Sequence, residues 1–464
     1  MMKSAVFENL SYYTNRNGKG NGMQLGKLVL FYVLWAFAAA SFFTVFILYS
    51  PNPFSNFMFK QHYSLMKNTS LPALTLENET TLPHQNLLKS NPATIINTKK
   101  ESNDEKIKCD LFDGKWIPDL NGPMYTNWSC PLIPDSRNCP KFGRENLDYM
   151  NWRWMPNECE LPRFDAKTFL SIVRGKKLAF IGDSLARNQM DSLLCLLSQG
   201  ETPNDVYTDD GDRDRTFYFP SHDFTLMAYW TTHLTFSETK KVNGSETAIF
   251  NIHLDRIDDN WAQKLPTLDY AIISTGQWFN RKNYLYEGGK VIGCIYCDEP
   301  DVPKLGLSFA IGKVMGKALE YISDCKECKA LFTLARTFSP SHFEYGTWNE
   351  GGKCNRTSPY TEKQDDYDFQ MEVRNFQVKE FETIMKRTDR KRFEILDITR
   401  AMIMRPDGHP GINWYNKYLK GQDCIHWCLP GPVDVWNELL LAVLVSKDGG
   451  STESEMVVRR SKHN

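Results

Sequence analysis

Apolar positions fall into distinct patterns along this chain. Residues 28–49, LVLFYVLWAFAAASFFTVFILY, form one uncharged run of 22, long enough to cross a bilayer as a helix. Residues 50–107 are rich in Asn, Ser, Thr, Pro and Lys and hold no sustained period, which reads as a flexible stem. From Phe164 onward, short apolar runs alternate with stretches of helical spacing. Runs at 178–181, 270–274, 330–334 and 393–398 predict strands, and 306–322, 364–385 and 433–445 predict helices. That alternation predicts an α/β fold with a parallel sheet covered on both faces. Active sites in such sheets gather at the carboxyl ends of the strands.

The most informative stretch is 176–197, KKLAFIGDSLARNQMDSLLCLL. Its apolar half reads as a strand, and Met190, Leu193, Leu194 and Leu197 then share one helical stripe. Gly182 permits a sharp turn where the strand ends, which leaves Ser184 near the positive end of the following helix. Asp and Ser are also ordinary turn and cap residues, so a nucleophilic role requires a base and an orienting acid. Asp423 and His426 supply both, and a spacing of three places them on one side of a turn or helix. Cys424 and Cys428 bracket the histidine, and bridges at both would pin the loop that carries the base. Asp397 is a rival carboxylate, and His342 and His409 are rival bases.

An acyl-transfer site also needs donors aimed at the developing oxyanion. Candidates are the Ser184 amide, Arg187, Asn188 and the Gly276 amide, the last at another predicted strand end. Aromatic residues near these ends, Trp278, Phe279, Tyr345, Trp348 and Trp427, are candidate platforms for sugar rings, with Trp278 and Trp427 foremost.

Composition adds the compartment. Lys3, Arg16, Lys19 and Lys27 precede the long apolar run and only Lys60 and Lys67 follow closely. The positive-inside rule then leaves 1–27 as a cytosolic tail and turns the remainder toward the lumen. The run lacks a small-x-small cleavage site and reads as a retained type II signal anchor. Asn68, Asn78, Asn127, Asn243 and Asn355 open glycosylation sequons on that side. All 12 cysteines also lie beyond the run, an even number suited to disulfides in an oxidising compartment. Cys109, Cys130, Cys139 and Cys159 lie among Trp116, Trp128, Trp152 and Trp154, so 108–162 reads as a loop-rich, bridged subdomain that wraps and stabilises the main one without a direct part in chemistry. Cys195 and Cys354 complete the set with two CxxC pairs, Cys294/Cys297 and Cys325/Cys328. Disulfides are favoured over zinc there, and no catalytic metal is expected. A net charge of −1 without a basic stripe argues against nucleic acid. The catalytic domain is expected over 163–446, with a disordered tail at 447–464.

With FIGDSLARNQ at 180–189 and DCIHWCLPG at 423–431, together with CDLF at 109–112 and WRW at 152–154, the chain resembles the plant trichome-birefringence-like family. These are Golgi polysaccharide O-acetyltransferases related to the GDSL/SGNH esterases. The resemblance runs from Cys109 to about Val445. It implies an SGNH-like lumenal domain with Ser184 as nucleophile, His426 as base and Asp423 as its orienting acid. It further implies that Cys139 and Cys354 are among the partners of Cys428 and Cys424. The Gly-x-Asn-Asp block of the wider superfamily is absent, and Gly276-Gln277-Trp278 stands nearest its place. The expected activity is transfer of acetyl to a cell-wall glycan. Xyloglucan ranks first, from 293–297 and 337–343, with mannan or xylan as alternatives. An acetyl esterase or a non-catalytic glycan-binding protein are the competing functions. The partners implied are a polysaccharide, an acetyl donor, the membrane and other Golgi acetylation proteins. No bound cofactor is expected; a CoA ester is one donor class, since it needs no nucleotide-binding glycine fingerprint.

Overall fold

The computed structural model describes residues 109–361, 367–389, 392–414 and 421–448. The expected anchor at 28–49, the stem, the sequons at Asn68 and Asn78 and most of the C-terminal tail lie outside them. No helix among the described residues is long and apolar enough to cross a membrane.

The chain opens with β1 (Gly114–Pro118) and β2 (Trp152–Pro156), an antiparallel pair. Helix α1 (Ala166–Ile172) leads into β3 (Lys177–Gly182) and α2 (Ser184–Ser198). Strands β4 (Asn204–Thr208), β5 (Arg215–Phe219) and β6 (Phe224–Trp230) come next. After them follow β7 (Thr235–Val242), β8 (Ser245–Ile257), the single turn α3 (Asp259–Ala262) and β9 (Tyr270–Ser274). The last third holds β10 (Asn283–Glu287), β11 (Lys290–Ile295), α4 (Leu307–Asp324) and β12 (Phe332–Arg336). Helix α5 (Asp368–Met385), β13 (Phe393–Leu396), α6 (Thr399–Ile403) and α7 (Asp434–Lys447) complete it.

The main sheet has the order β13-β12-β9-β3-β6-β5-β4. Its five strands from β13 to β6 are parallel, but β5 and β4 are added antiparallel, so the expected all-parallel sheet is mixed. Connection length explains the difference. Only 209–214 and 220–223 separate β4, β5 and β6, and a parallel crossover needs about a dozen residues or more. Side chains on β3 alternate between two cores: Leu178 and Phe180 face α2 and α7, whereas Ala179 and Ile181 face α4 and α5. A strand buried on both sides is why 178–181 reads as continuous apolar sequence.

A second sheet, β11-β10-β8-β7, packs on α4 through Ile252, Leu285, Ile311 and Val314 and has no counterpart in the predicted elements. The N-terminal cysteine-rich segment lies on the first core. Trp116 and Trp154 meet edge to face at 5.8 Å, and the Trp116 indole N–H donates to the Ala401 carbonyl at 2.7 Å. Every cysteine beyond residue 108 is paired: Cys109–Cys159, Cys130–Cys195, Cys139–Cys428, Cys294–Cys297, Cys325–Cys328 and Cys354–Cys424. Each CxxC unit therefore closes on itself rather than around zinc.

In the main sheet the chain leaves β3 toward β6 on one side and returns to β9 on the other. Such a switch point opens a crevice at the carboxyl ends of the neighbouring strands. Ser184 stands at its edge.

Candidate active site

Two close approaches make glycine necessary around the crevice. A Cβ on Gly182 would lie 2.2 Å from the Ser274 carbonyl oxygen, and one on Gly276 would lie 2.5 Å from the Phe338 ring. Asp183 then caps α2, accepting from the Leu185 amide at 2.9 Å. Its other oxygen, Oδ2, is buried without a hydrogen-bond partner. Burial raises the Asp183 carboxyl, opposed by that Leu185 hydrogen bond and the nearby Arg336 guanidinium.

Ser184 Oγ lies 2.7 Å from His426 Nε2, and His426 Nδ1 lies 2.8 Å from Asp423 Oδ2. With Nδ1–H donating to the carboxylate, Nε2 is left as the acceptor for the serine hydroxyl. Asp423 Oδ1 accepts from the Ile425 and His426 amides, each at 3.0 Å. Burial pushes the Asp423 carboxyl up, but the His426 ring and these two amides outweigh it and hold the group well below the usual carboxylate range. The acid is thus kept ionised and aimed.

The loop bearing His426 is fixed from several directions. Cys424 pairs with Cys354 and Cys428 with Cys139. Asn188, one turn beyond Ser184, accepts from the Trp427 amide at 2.8 Å and donates to the Trp427 carbonyl at 3.2 Å. Asn188 is fully buried and its amide oxygen and one of its two N–H groups are taken by backbone, so it joins nucleophile helix to base loop. Arg137 donates to the Ser184 carbonyl at 3.2 Å while its own carbonyl accepts from the Leu429 amide at 2.9 Å. Its segment, expected to be a stabilising wrap without a direct part in chemistry, holds backbone on both sides of the site.

Other expectations need correction. Trp427 is fully buried, stacked on His409 at 4.1 Å with its N–H on Ser339 Oγ at 2.9 Å, and cannot present a face to sugar. Phe279 is buried as well. The rival acid Asp397 is engaged by Thr337 and Arg374. The rival bases form a buried pair behind the loop: His342 and His409 face each other at 2.7 Å, and His409 Nδ1 donates to the His426 carbonyl at 2.7 Å. Arg187 is held by the Asp212 carbonyl and lies over the Trp230 ring at 4.8 Å. Burial lowers its guanidinium to about 10. Of the backbone donors, the Ser184 N–H begins a helix and lies outside its hydrogen-bond ladder. Trp278 is half-exposed at the crevice.

Residues 161–443 match the model of a GDSL/SGNH-like acyl-esterase family found in Pmr5 and Cas1p, and residues 107–160 match the PMR5 N-terminal domain. The chain belongs to this acyl-esterase family. Its relatives include xyloglucan O-acetyltransferase 4 of Populus trichocarpa, 54% identical over 343 residues, covering 73% of this chain and 82% of the relative. Xyloglucan O-acetyltransferase 2 of Arabidopsis thaliana is 49% identical over 342 residues, with coverage of 73% and 83%. Protein trichome birefringence-like 20 of Arabidopsis thaliana is 41% identical over 356 residues, with coverage of 74% and 73%.

Within this member of the family, sequence reasoning missed the part played by Arg137, which acts through backbone, and singled out His409 only as a rival base rather than as a support for the His426 loop. Asp183 was visible inside the Gly-Asp-Ser motif, and its cap role follows from residue type. Arg137 carried no local signal, because it meets Ser184 across 47 positions.

Proposed function

We propose that this protein is a polysaccharide O-acetyltransferase that acylates xyloglucan by double displacement through acetyl-Ser184. The observation that carries the reading is the unbroken hydrogen-bonded line from Ser184 Oγ through His426 to Asp423. Kinship with relatives named xyloglucan O-acetyltransferase supports the substrate. In the first half, Ser184 Oγ attacks the acetyl carbonyl carbon as His426 Nε2 takes its proton. Collapse of the adduct breaks the bond to the donor's leaving group, which departs with that proton. In the second half, a glycan hydroxyl gives its proton to His426 and attacks the acetyl carbon. Ser184 leaves as the alcohol, reclaiming a proton from the imidazolium. The Ser184 and Gly276 amides stabilise the oxyanion in both halves. The donor is an activated acetyl ester, with a CoA ester as one class. Six disulfides suit a protein working in an oxidising lumen, and we place it in the Golgi.

The test is to incubate the protein with p-nitrophenyl acetate, follow the acyl burst and digest for the Ser184 peptide, then add xyloglucan oligosaccharide. The expected outcome is an acetylated Ser184 peptide whose acetyl moves to the sugar. Ser184→Ala should lower transfer by about a thousandfold or more. Normal transfer by that variant would sink the mechanism, and release of acetate alone in the presence of acceptor would make the protein an esterase.

A further inference from the structure

Beyond the hydrogen-bonded line at Ser184, the crevice carries a second arrangement. Trp230 ends β6 beside Gly182, and Trp278 follows β9. Their rings meet edge to face at 5.9 Å, and Trp278 meets Phe250 of β8 at the same distance. Arg281 stretches among these rings, its guanidinium carbon 4.4 Å from the centre of Trp278, 5.6 Å from Trp348 and 5.9 Å from Phe250. Trp348 is half-exposed and anchored by its indole N–H on the Asn280 carbonyl at 3.0 Å.

Arg281 lacks a counter-ion: among the described residues no carboxylate lies within ion-pair distance of it, and its Nε is buried without a hydrogen-bond partner. Burial lowers its guanidinium, with no opposing charge to restore it. Rings crowd the guanidinium, and its Nη groups, which have no partner among the described residues, are left to be satisfied from outside them. Neighbouring cations are engaged: Arg187 by Asp212, and Lys282 by Glu299 and Asp298. A polyphosphate would call for several uncommitted cations. One guanidinium fork beside half-exposed indole faces fits a neutral, hydroxyl-rich ring with an apolar face instead.

We propose that Arg281 and Trp348, framed by Trp278, form an acceptor-glycan subsite in which a sugar ring lies on Trp348 while its hydroxyls accept from the Arg281 edge. This rests on the transferase reading above and names where that acceptor is held. The same rings that orient Arg281 continue through Trp230 to Arg187 on the first turns of α2, so a glycan seated there lies along a path to Ser184.

The test uses the whole protein with xyloglucan heptasaccharide as probe. Active sites are counted by the p-nitrophenyl acetate burst, and acceptor KM is referred to that count. Arg281→Ala and Trp348→Ala should each raise acceptor KM about tenfold or more. Arg281→Lys, which keeps charge but loses the fork, should fall between. Direct titration with the unacetylated heptasaccharide should weaken in parallel. Unchanged KM and unchanged titration in both alanine variants would overturn the subsite while leaving acetyl transfer intact. Weakened binding of CoA with unaltered heptasaccharide binding would overturn it in favour of a donor phosphate. If the parent protein gives no acyl-Ser184, the transferase reading fails, and the titration alone still decides whether the subsite holds glycan.

Discussion

His409 never meets Ser184, yet it governs where His426 stands. Its Nδ1–H holds the His426 carbonyl, its ring lies on Trp427, and Arg144 donates to its own carbonyl at 2.5 Å. A misplacement of about 1 Å near reacting groups costs about a hundredfold in rate, so His409→Ala should lower kcat by about 10–100-fold with little effect on acceptor KM. His409→Asn, which can offer an N–H toward the same carbonyl, should recover part of it; a matching loss in KM would show that His409 touches acceptor instead. Glu438 on α7 makes a separate prediction. Burial first, and the Asp434 charge second, push its carboxyl up to about 8. Between its ordinary value near 4.5 and about 8, the folded protein holds a proton that the unfolded chain has released. Stability contributed by this group therefore falls as pH rises through that window. Melting temperatures from pH 5 to 8 should decline less steeply in Glu438→Gln than in the parent. Ser184, Asp423 and His426 could be singled out because Gly-Asp-Ser breaks an apolar run at 182–184 and an Asp and a His three apart stand between bracketing cysteines at 423–428. The role of Asn188 was not legible, since its partner Trp427 lies 239 positions away.

At the scale of elements, the β3–α2 turn sets the tolerance of the site. Gly182 and Ser274 are register partners on adjacent strands, and the Ser274 oxygen occupies the space a Cβ would need. Gly182→Ala should cost about 2 kcal/mol or more in urea unfolding; loss of activity without loss of stability would mean that the turn adapts and only Ser184 moves. Strands β3 and β9 could be read from sequence because both faces are buried, and the main helices because their stripes face the two cores. Strands β7 and β8 could not. TFSETKKV at 235–242 is largely exposed or half-exposed and carries charge where a buried strand would carry Val or Ile. Strand β4 is exposed along its length, so no hydrophobic pattern marks it. Those unmarked strands matter, since β8 supplies Phe250 beside Arg281.

Among the described residues, the cysteine-rich segment packs into the first core of the α/β lobe through Trp116, Tyr125, Ile133 and Trp154. Leu429 leans on Arg137, Trp116 on Ala401, and Cys139 on Cys428. Replacing Cys139 and Cys428 together by Ser should destabilise the protein by about 2–4 kcal/mol and reduce kcat further than that loss explains. Equal activity in the parent and the double variant, at a temperature where both are folded, would show that the bridge serves stability alone. The even cysteine count and the brackets around His426 made a pinned loop legible, and the family resemblance pointed to Cys139 and Cys354 as partners of Cys428 and Cys424, as found; Cys109–Cys159 and Cys130–Cys195 required the fold itself. Cys139 and Cys428 are separated by 289 positions, and this has a consequence for biosynthesis. As the polypeptide emerges from the ribosome, the early thiol has no correct mate until nearly the entire chain has been translated. A product that stops short of residue 428 cannot close this bridge, and Cys139 in it is left without its native mate.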